Sequence, residues 1–415
     1  MAAKFFGWGC LAFALTAPVS IAGSSIVMWT LLYVWLMACA FQPDVRPTWG
    51  TTEKVFLAFS LIGLASALSG VNVLHGLKFW SKKDVYFLIV PFLGVWLRTD
   101  AARERYMRVF WVGSLIAATW GLVTVAAGVN QTDSHHGIFL SMPQVFAHWP
   151  RPLQDGLSLV NGRAVGFRSH PLTYAESLII ALSLMLPVLV SIERKRFPLA
   201  LASGWVLLAA LVFSQSRGPW LAAVVMMGLL ALLRPSWKTT ARLAALVLPA
   251  FLVFMHPAFR HRAATIVDQH YESNSERLHM WHVGRQVWKE HRLLGIGPGN
   301  VKFVVGPYQT PKEAVGGPWG HLHDTFINML VERGVIGLIA FLAWLSVLAG
   351  EFWRASRRTD LSDARRRLAL TGFLALVGFL VSGLTETVYN DEAVLFTLYA
   401  VIGLALAAVR TNHEA

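Results

Sequence analysis

Apolar stretches of membrane-crossing length recur along almost the whole chain, and very few folds accommodate that pattern. They fall near 6–22, 24–41, 53–71, 84–98, 107–128, 173–192, 197–214, 219–233, 242–256, 334–352, 368–387 and 392–409. Each approaches the roughly 20 residues that a helix needs to cross a hydrocarbon core. Lipid offers the backbone no hydrogen-bond partner, so such spans must satisfy their own peptide groups as helices. A 55% hydrophobic content with only 14% charged residues agrees, being far too apolar for a soluble domain. The 17 tryptophans and 25 phenylalanines supply aromatic belts at two interfaces. The expected fold is therefore an all-α integral membrane protein of about twelve transmembrane helices, one polytopic domain over 1–415. The first span has few basic residues and no clear cleavage site, so it reads as a retained helix.

Orientation follows from Lys and Arg in the short connections. Arg98, Arg103, Arg105 and Arg108 flank one; Arg194, Lys195 and Arg196 another; Arg234, Lys238 and Arg242 a third. The densest run is Arg354, Arg357, Arg358, Arg365, Arg366 and Arg367. With twelve spans all four lie on one face with both termini, which is the expected cytoplasmic face. Lys78, Lys82 and Lys83 fall on the other face, against the trend. The formal net charge of +13 is largely this topological signal plus attraction to membrane lipids. It comes with no nucleic-acid motif. The two cysteines, Cys10 and Cys39, sit inside apolar spans and form no disulfide framework or thiolate metal site.

Two polar stretches break the apolar pattern on the outer face, and they hold most of the 14 histidines. The loop at 129–170 is rich in Gly, Pro, Ser and His. The loop at 256–333 is better structured, carrying short helices. Ser273 followed by Glu276 reads as a capping box, opening a helix over 274–290 with Arg277, Trp281, Arg285 and Trp288 on one face. Gly295-Ile-Gly-Pro-Gly299 ends it. A second helix starts at His323 or Asp324 and lies at the interface until the chain dives at Gly334. Phe326, Ile327, Leu330 and Val331 form its apolar stripe; Thr325, Asn328 and Glu332 form its polar stripe.

Cation- and imidazole-rich loops on one face suit an anionic substrate. His323 is a candidate general base, since imidazole titrates near neutral pH; its alternative is a polar helix start. His321 is a weaker candidate of the same kind. Arg217, in Ser214-Gln-Ser-Arg-Gly-Pro219, is deep enough to require an anion or water, or else it snorkels to headgroups. Arg277 and Arg285 offer the planar donor forks that suit a pyrophosphate, or else form a solvated helix face. Arg163 and Arg168 approach the same face and either contact substrate or anchor their loop. The Gly295 turn lacks the Lys-Ser/Thr ending of a phosphate loop. The His pairs 135/136, 279/282 and 321/323 have no carboxylate at metal-site spacing, so no metal and no cofactor is expected.

Taken together, these residues resemble the O-antigen ligase family. Its pattern is His, then Asn, Ser or Gln, nine residues, Gly, two residues, then Gly, Thr or Tyr. Here His323 begins it, Gly334 and Gly337 complete it, and Asp324 departs at the second position. Ser216-Arg217-Gly218, Glu276-Arg277-Leu278 with Trp281, and Gly295-Ile-Gly-Pro-Gly-Asn300 resemble the wider ligase and polymerase family in the same order. The resemblance implies a GT-C-like, metal-independent, inverting glycosyltransferase working at the periplasmic face. Its donor would be O-antigen on undecaprenyl pyrophosphate and its acceptor lipid A-core, and the membrane would be a bacterial inner membrane. His323 would deprotonate the acceptor hydroxyl, and Arg217 and Arg277 would bind the pyrophosphate. An O-antigen polymerase shares the donor, the topology and the arginines. A transporter would instead need ionisable residues at mid-span and inverted repeats.

Overall fold

The computed structural model describes residues 2–126, 163–168, 170–310, 313 and 317–410. Most of the 129–170 loop, including the His135/His136 pair, lies outside these residues. Among the described residues every regular element is a helix. Apart from short 3-10 turns the order is α1 Ala2–Val19, α2 Ile21–Phe41, α3 Thr51–Leu68, α4 Val73–Lys83, α5 Ile89–Trp96 and α6 Asp100–Ala126. Then come α7 Pro171–Ser191, α8 Phe197–Phe213, α9 Arg217–Leu233, α10 Trp237–Phe254 and α11 Pro257–Ala264. The chain ends with α12 Glu272–Glu290, α13 Val301–Val304, α14 Thr325–Arg357, α15 Asp363–Gly383 and α16 Glu392–Arg410.

Eight of these helices are long and apolar enough to cross a membrane, and three shorter apolar ones lie at Phe5–Val19, Phe197–Phe213 and Arg217–Leu233. The span expected over 84–98 is divided into a 3-10 turn, Val85–Leu88, and the short α5. The protein is thus an all-α, multi-pass membrane protein.

Hydropathy around each helix sets its place. α16 is apolar on every side and buried at every residue from Ala393 to Val409, the pattern of a central helix. α7 is buried without interruption from Tyr174 to Pro187 and lies against it. Outer helices keep one apolar face uncovered, as at Leu232, Trp237, Phe251 and Leu252, where a soluble protein would be polar.

The basic connections gather at one end. Arg365 pairs with Asp100, Arg103 donates to the Ala407 carbonyl, and Arg410 forks onto Glu351. Phe6 stacks on Trp96 at the same end. The lysines that ran against the charge trend have a local cause. Lys83 is buried 3.3 Å from Glu392, and Lys82 lies 3.8 Å from the same carboxylate.

At the other end α14 breaks at Gly334, whose φ is +67°. A break inside a helix orphans backbone groups that must find partners. Here the glycine turn supplies them. Ile296 and Gly297 donate to the Val331 and Glu332 carbonyls, and Val335 and Ile336 donate to Arg292 and Leu293. Ser66 also donates to Glu332 O. Gly295 and Gly334 cannot carry a side chain, because a Cβ would sit 2.5 Å from Glu332 C and 2.0 Å from Leu293 O respectively. The turn beginning at Gly295 is therefore a backbone dock for the kink. Arg333 at the kink is locked by Asp84 at 2.8 and 2.6 Å, with Tyr389 donating to the same carboxylate at 2.9 Å.

Candidate active site

Four pieces of chain meet at this end: residues 163–168 with 170–171, the reversal at 214–217, the paired starts of α12 and α14, and the connection 384–391. Backbone strain marks two of them. Among the described residues Gln215 and His323 are the non-glycine positions with φ near +50°, at +53° and +50°. Such conformations persist only where their surroundings enforce them, and they cluster at functional sites.

His323 stands just outside α14. The helix is capped by Asp324, whose carboxylate accepts the Ile327 N–H at 2.7 Å. The Nδ1 of His323 lies 2.6 Å from Glu386 Oε2. The other oxygen of Glu386 receives Arg277, so a single carboxylate bridges imidazole and guanidinium. Burial pushes the Glu386 carboxyl up, but the His323 hydrogen bond and the Arg277 charge outweigh it and hold it below the usual range. A carboxylate on Nδ1 fixes the proton there and leaves Nε2 free to accept one.

Glu386 is itself held in place. Thr325 Oγ1 donates to its carbonyl at 2.8 Å and accepts the Val388 N–H at 3.1 Å. α9 presses on the same connection, because a Cβ at Gly218 would lie 2.2 Å from Thr385 Oγ1. From the other side the Trp281 indole donates to Leu322 O, and Gly284 lets α12 close on Leu322, Ile327 and Val331. His321 takes the His323 N–H on its own Nδ1 at 3.4 Å. Burial, then the neighbouring His323 charge, push His321 down to about 4, so it stays neutral at neutral pH.

Arg217 opens α9 and is only 8% exposed. Its Nη1 donates to Thr265 O and Oγ1, and its Nη2 to Ser273 Oγ and Asn274 Oδ1. Arg262, Arg277 and Glu386 lie within range of its charge. Arg163 anchors to the reversal through Ser214 O at 2.9 Å, and Arg262 reaches the Gln215 carbonyl and the Tyr271 hydroxyl. Guanidiniums thus gather round the Glu386 carboxylate.

Residues 202–342 match the family model for O-antigen ligase. The stretch belongs to the O-antigen ligase family. No curated protein matches the chain. The match supports a ligase- or polymerase-type function in general, with polysaccharide and lipid substrates as a class, in a multi-pass membrane protein.

Within this ligase-family domain the histidine pattern acquires a physical meaning. Its second position is the N-cap of α14, and Asp caps as well as Asn or Ser. The departure at Asp324 therefore conserves the cap. Gly337 faces the Arg333 stem, where a Cβ would sit 2.3 Å from Arg333 Cβ.

Of the residues singled out from sequence, His323, His321, Arg277, Arg217 and Arg163 come together. Two do not. Arg168 is buried and donates to Ala17 O at 2.8 Å, at the end of α1. Arg285 lies on the exposed side of α12. The expected capping box is also absent. α12 starts at Glu272 with Tyr271 as its cap, and Ser273 sits inside the helix with its hydroxyl accepting from Arg217. The polar stripe of the interfacial helix faces inward, with Thr325, Asn328 and Glu332 all buried.

Glu386 and Arg262 were not anticipated. The expected apolar span over 368–387 takes in Glu386, whereas α15 stops at Gly383. The available signal was a carboxylate inside an apparent span, which is a functional hypothesis by default. Arg262 is one of several basic residues in a short polar helix, and nothing in its spacing sets it apart. Among the described residues no three His, Cys, Asp or Glu side chains converge as metal ligands.

Proposed function

We propose that the protein is an O-antigen ligase. It would transfer O-antigen polysaccharide from undecaprenyl pyrophosphate to lipid A-core at the periplasmic face of the bacterial inner membrane. The reaction is metal-independent and inverting. The observation that carries this reading is the Glu386 bridge between His323 Nδ1 and Arg277, which leaves a basic nitrogen beside a field of fixed guanidiniums.

In this mechanism His323 Nε2 takes the proton of an acceptor sugar hydroxyl. That oxygen attacks the anomeric carbon of the donor from the side opposite the pyrophosphate. The anomeric C–O bond breaks and its electron pair leaves with undecaprenyl pyrophosphate, so the configuration inverts. Glu386 stabilises the imidazolium as it forms. The leaving diphosphate needs charge stabilisation more than protonation, and preorganised donors supply it without reorganisation at the moment of reaction.

Arg277 is the principal pyrophosphate-binding candidate, because the Glu386 contact uses one end of its fork and leaves further N–H donors. Arg217 contributes its positive charge to the same field. Its terminal nitrogens are spent on Thr265, Ser273 and Asn274, so it also latches the start of α12 against α9. Arg163 and Arg262 complete the cationic rim.

The test is reconstitution of the purified protein with lipid-linked glycan and rough lipopolysaccharide. Glycan ladders appearing on lipid A-core are expected. Elongation of the lipid-linked chain with no product on lipid A-core would make the protein a polymerase and overturn the reading.

A further inference from the structure

The end of the bundle remote from Glu386 carries its own cavity. A cleft of about 510 Å³ opens between the ends of α7, α9, α10 and α15. Its rim is cationic and hydroxylic: Arg234, Arg366 and Arg367 face Ser191, Ser236 and Thr239. Its floor is apolar, made by Pro187, Val190, Leu233 and Leu370. A second cleft of about 280 Å³ shares Leu233, Arg234, Arg366 and Leu370 with the first and adds Arg357, which is stacked over Trp353 at 4.0 Å.

Asp363 is the one carboxylate lining the two clefts, and it pairs with Arg366. Arg234 and Arg367 lie within range of it but, among the described residues, have no close acid of their own. The balance over the joined clefts is therefore strongly positive. Two large apolar side chains flank the rim with their surfaces uncovered, Leu232 at 77% and Trp237 at 80% exposed, as expected where a membrane begins. A cationic rim over an apolar floor, open at the lipid boundary, matches an amphiphile with an anionic phosphate head. Guanidinium forks suit phosphate oxygens in particular.

We infer that the joined clefts bind a phosphate headgroup, most completely that of an anionic phospholipid whose chains rest on the Leu233–Leu370 floor. The site is separate from the Glu386 centre and is independent of the reaction proposed there. Each interfacial arginine adds attraction to an anionic head, so removing three weakens binding by roughly 100-fold.

The experiment uses the full-length protein in detergent. Thermal stabilisation and native mass spectrometry are measured on titrating phosphatidylglycerol, phosphatidylcholine or inorganic phosphate. The variants are the triple Arg234→Gln, Arg366→Gln, Arg367→Gln and a control triple, Arg98→Gln, Arg105→Gln, Arg108→Gln, which removes equal charge elsewhere at that end. Preferential binding of phosphatidylglycerol, lost in the first triple and kept in the control, supports the lipid source. Equal binding of inorganic phosphate, again lost only in the first triple, supports the headgroup chemistry with a free phosphate as its source. Equal weakening in both triples, or none in the first, overturns the site. If the first triple is unstable, Arg367→Gln alone is compared with Arg105→Gln on the same criteria.

Discussion

Replacing Glu386 by Gln is the sharpest probe of the centre, because it keeps the shape and changes what the group can accept. The carboxylate presents one oxygen to His323 Nδ1, 2.6 Å away, and the other to Arg277. An amide has only one oxygen. Arg277 is donor-only, so it claims that oxygen, and the amide NH₂ then faces His323. Nδ1 must accept, the ring proton moves to Nε2, and the nitrogen meant to take the acceptor proton already carries one. The same change at the acid of a Ser-His-Asp triad lowers kcat about 10,000-fold, so a fall of about 1,000- to 10,000-fold is expected here. Glu386→Asp keeps the charge but is one methylene short of spanning both partners, and its activity should lie between the two.

The assay is single-turnover transfer from lipid-linked glycan to lipid A-core in proteoliposomes, with donor binding measured separately. Donor affinity should change far less than the rate, because Arg277 keeps a hydrogen bond to the amide. Glu386→Gln retaining rates within about 5-fold of the parent, well short of the triad effect, would refute the assignment of Glu386 as the group that sets the His323 tautomer.

Further expectations follow from the same geometry. His323→Ala should abolish transfer while donor binding persists; turnover in a purified, correctly inserted variant removes the general base. Asp324→Asn should behave like the parent, since both cap the helix, while Asp324→Ala should lose about 1 kcal/mol of stability by thermal melting. Gly334→Ala should lower the melting temperature strongly, because the new Cβ would sit 2.0 Å from Leu293 O at a φ of +67°; an unchanged melt would show that the kink relaxes freely. His321 is pushed down to about 4 by burial and by His323. Its contribution to stability is therefore complete above the ordinary histidine value near 6.5 and is lost as pH falls toward 4. His321→Asn should flatten the decline in melting temperature over that interval, and an unaltered slope would contradict the neutral role given to His321.

Period and length made the helical membrane bundle legible, because lipid leaves the backbone no alternative to helices. The break at Gly334 was legible for a related reason: no helix that continues into a span carries an interfacial polar stripe without changing direction. What stayed hidden was burial, which hydropathy reports only indirectly. Thr325, Asn328 and Glu332 read as a wet stripe, yet they face inward because the Glu386 carbonyl, the Leu322 N–H and the Asn390 amide bring polar partners to them. Ser273 read as a cap because the spacing to Glu276 fits one, whereas tertiary contact with Arg217 gave its hydroxyl another use. Glu386 was lost to a boundary error of a few residues, and it also lies outside the 202–342 stretch that matches the family.

That last fact bears on how the centre is assembled. His323, Arg217 and Arg277 come from the family stretch, whereas the carboxylate that bridges His323 and Arg277 comes from the connection before the final, fully enclosed helix. Long-range contacts fix the register between the two. Thr325 grips Glu386 from one side, Gly218 admits Thr385 from the other, and Tyr389 ties the same connection to the Asp84–Arg333 pair at the kink. A carboxylate poised between an imidazole and a guanidinium loses its purpose if it drifts by the length of one hydrogen bond. Its support must therefore come from packed helices and not from the loop that carries it. In the proposed mechanism the packing of α9 and α14 on the 384–391 connection is thus part of the chemistry, and substitutions there should lower the rate with little effect on how tightly the donor binds.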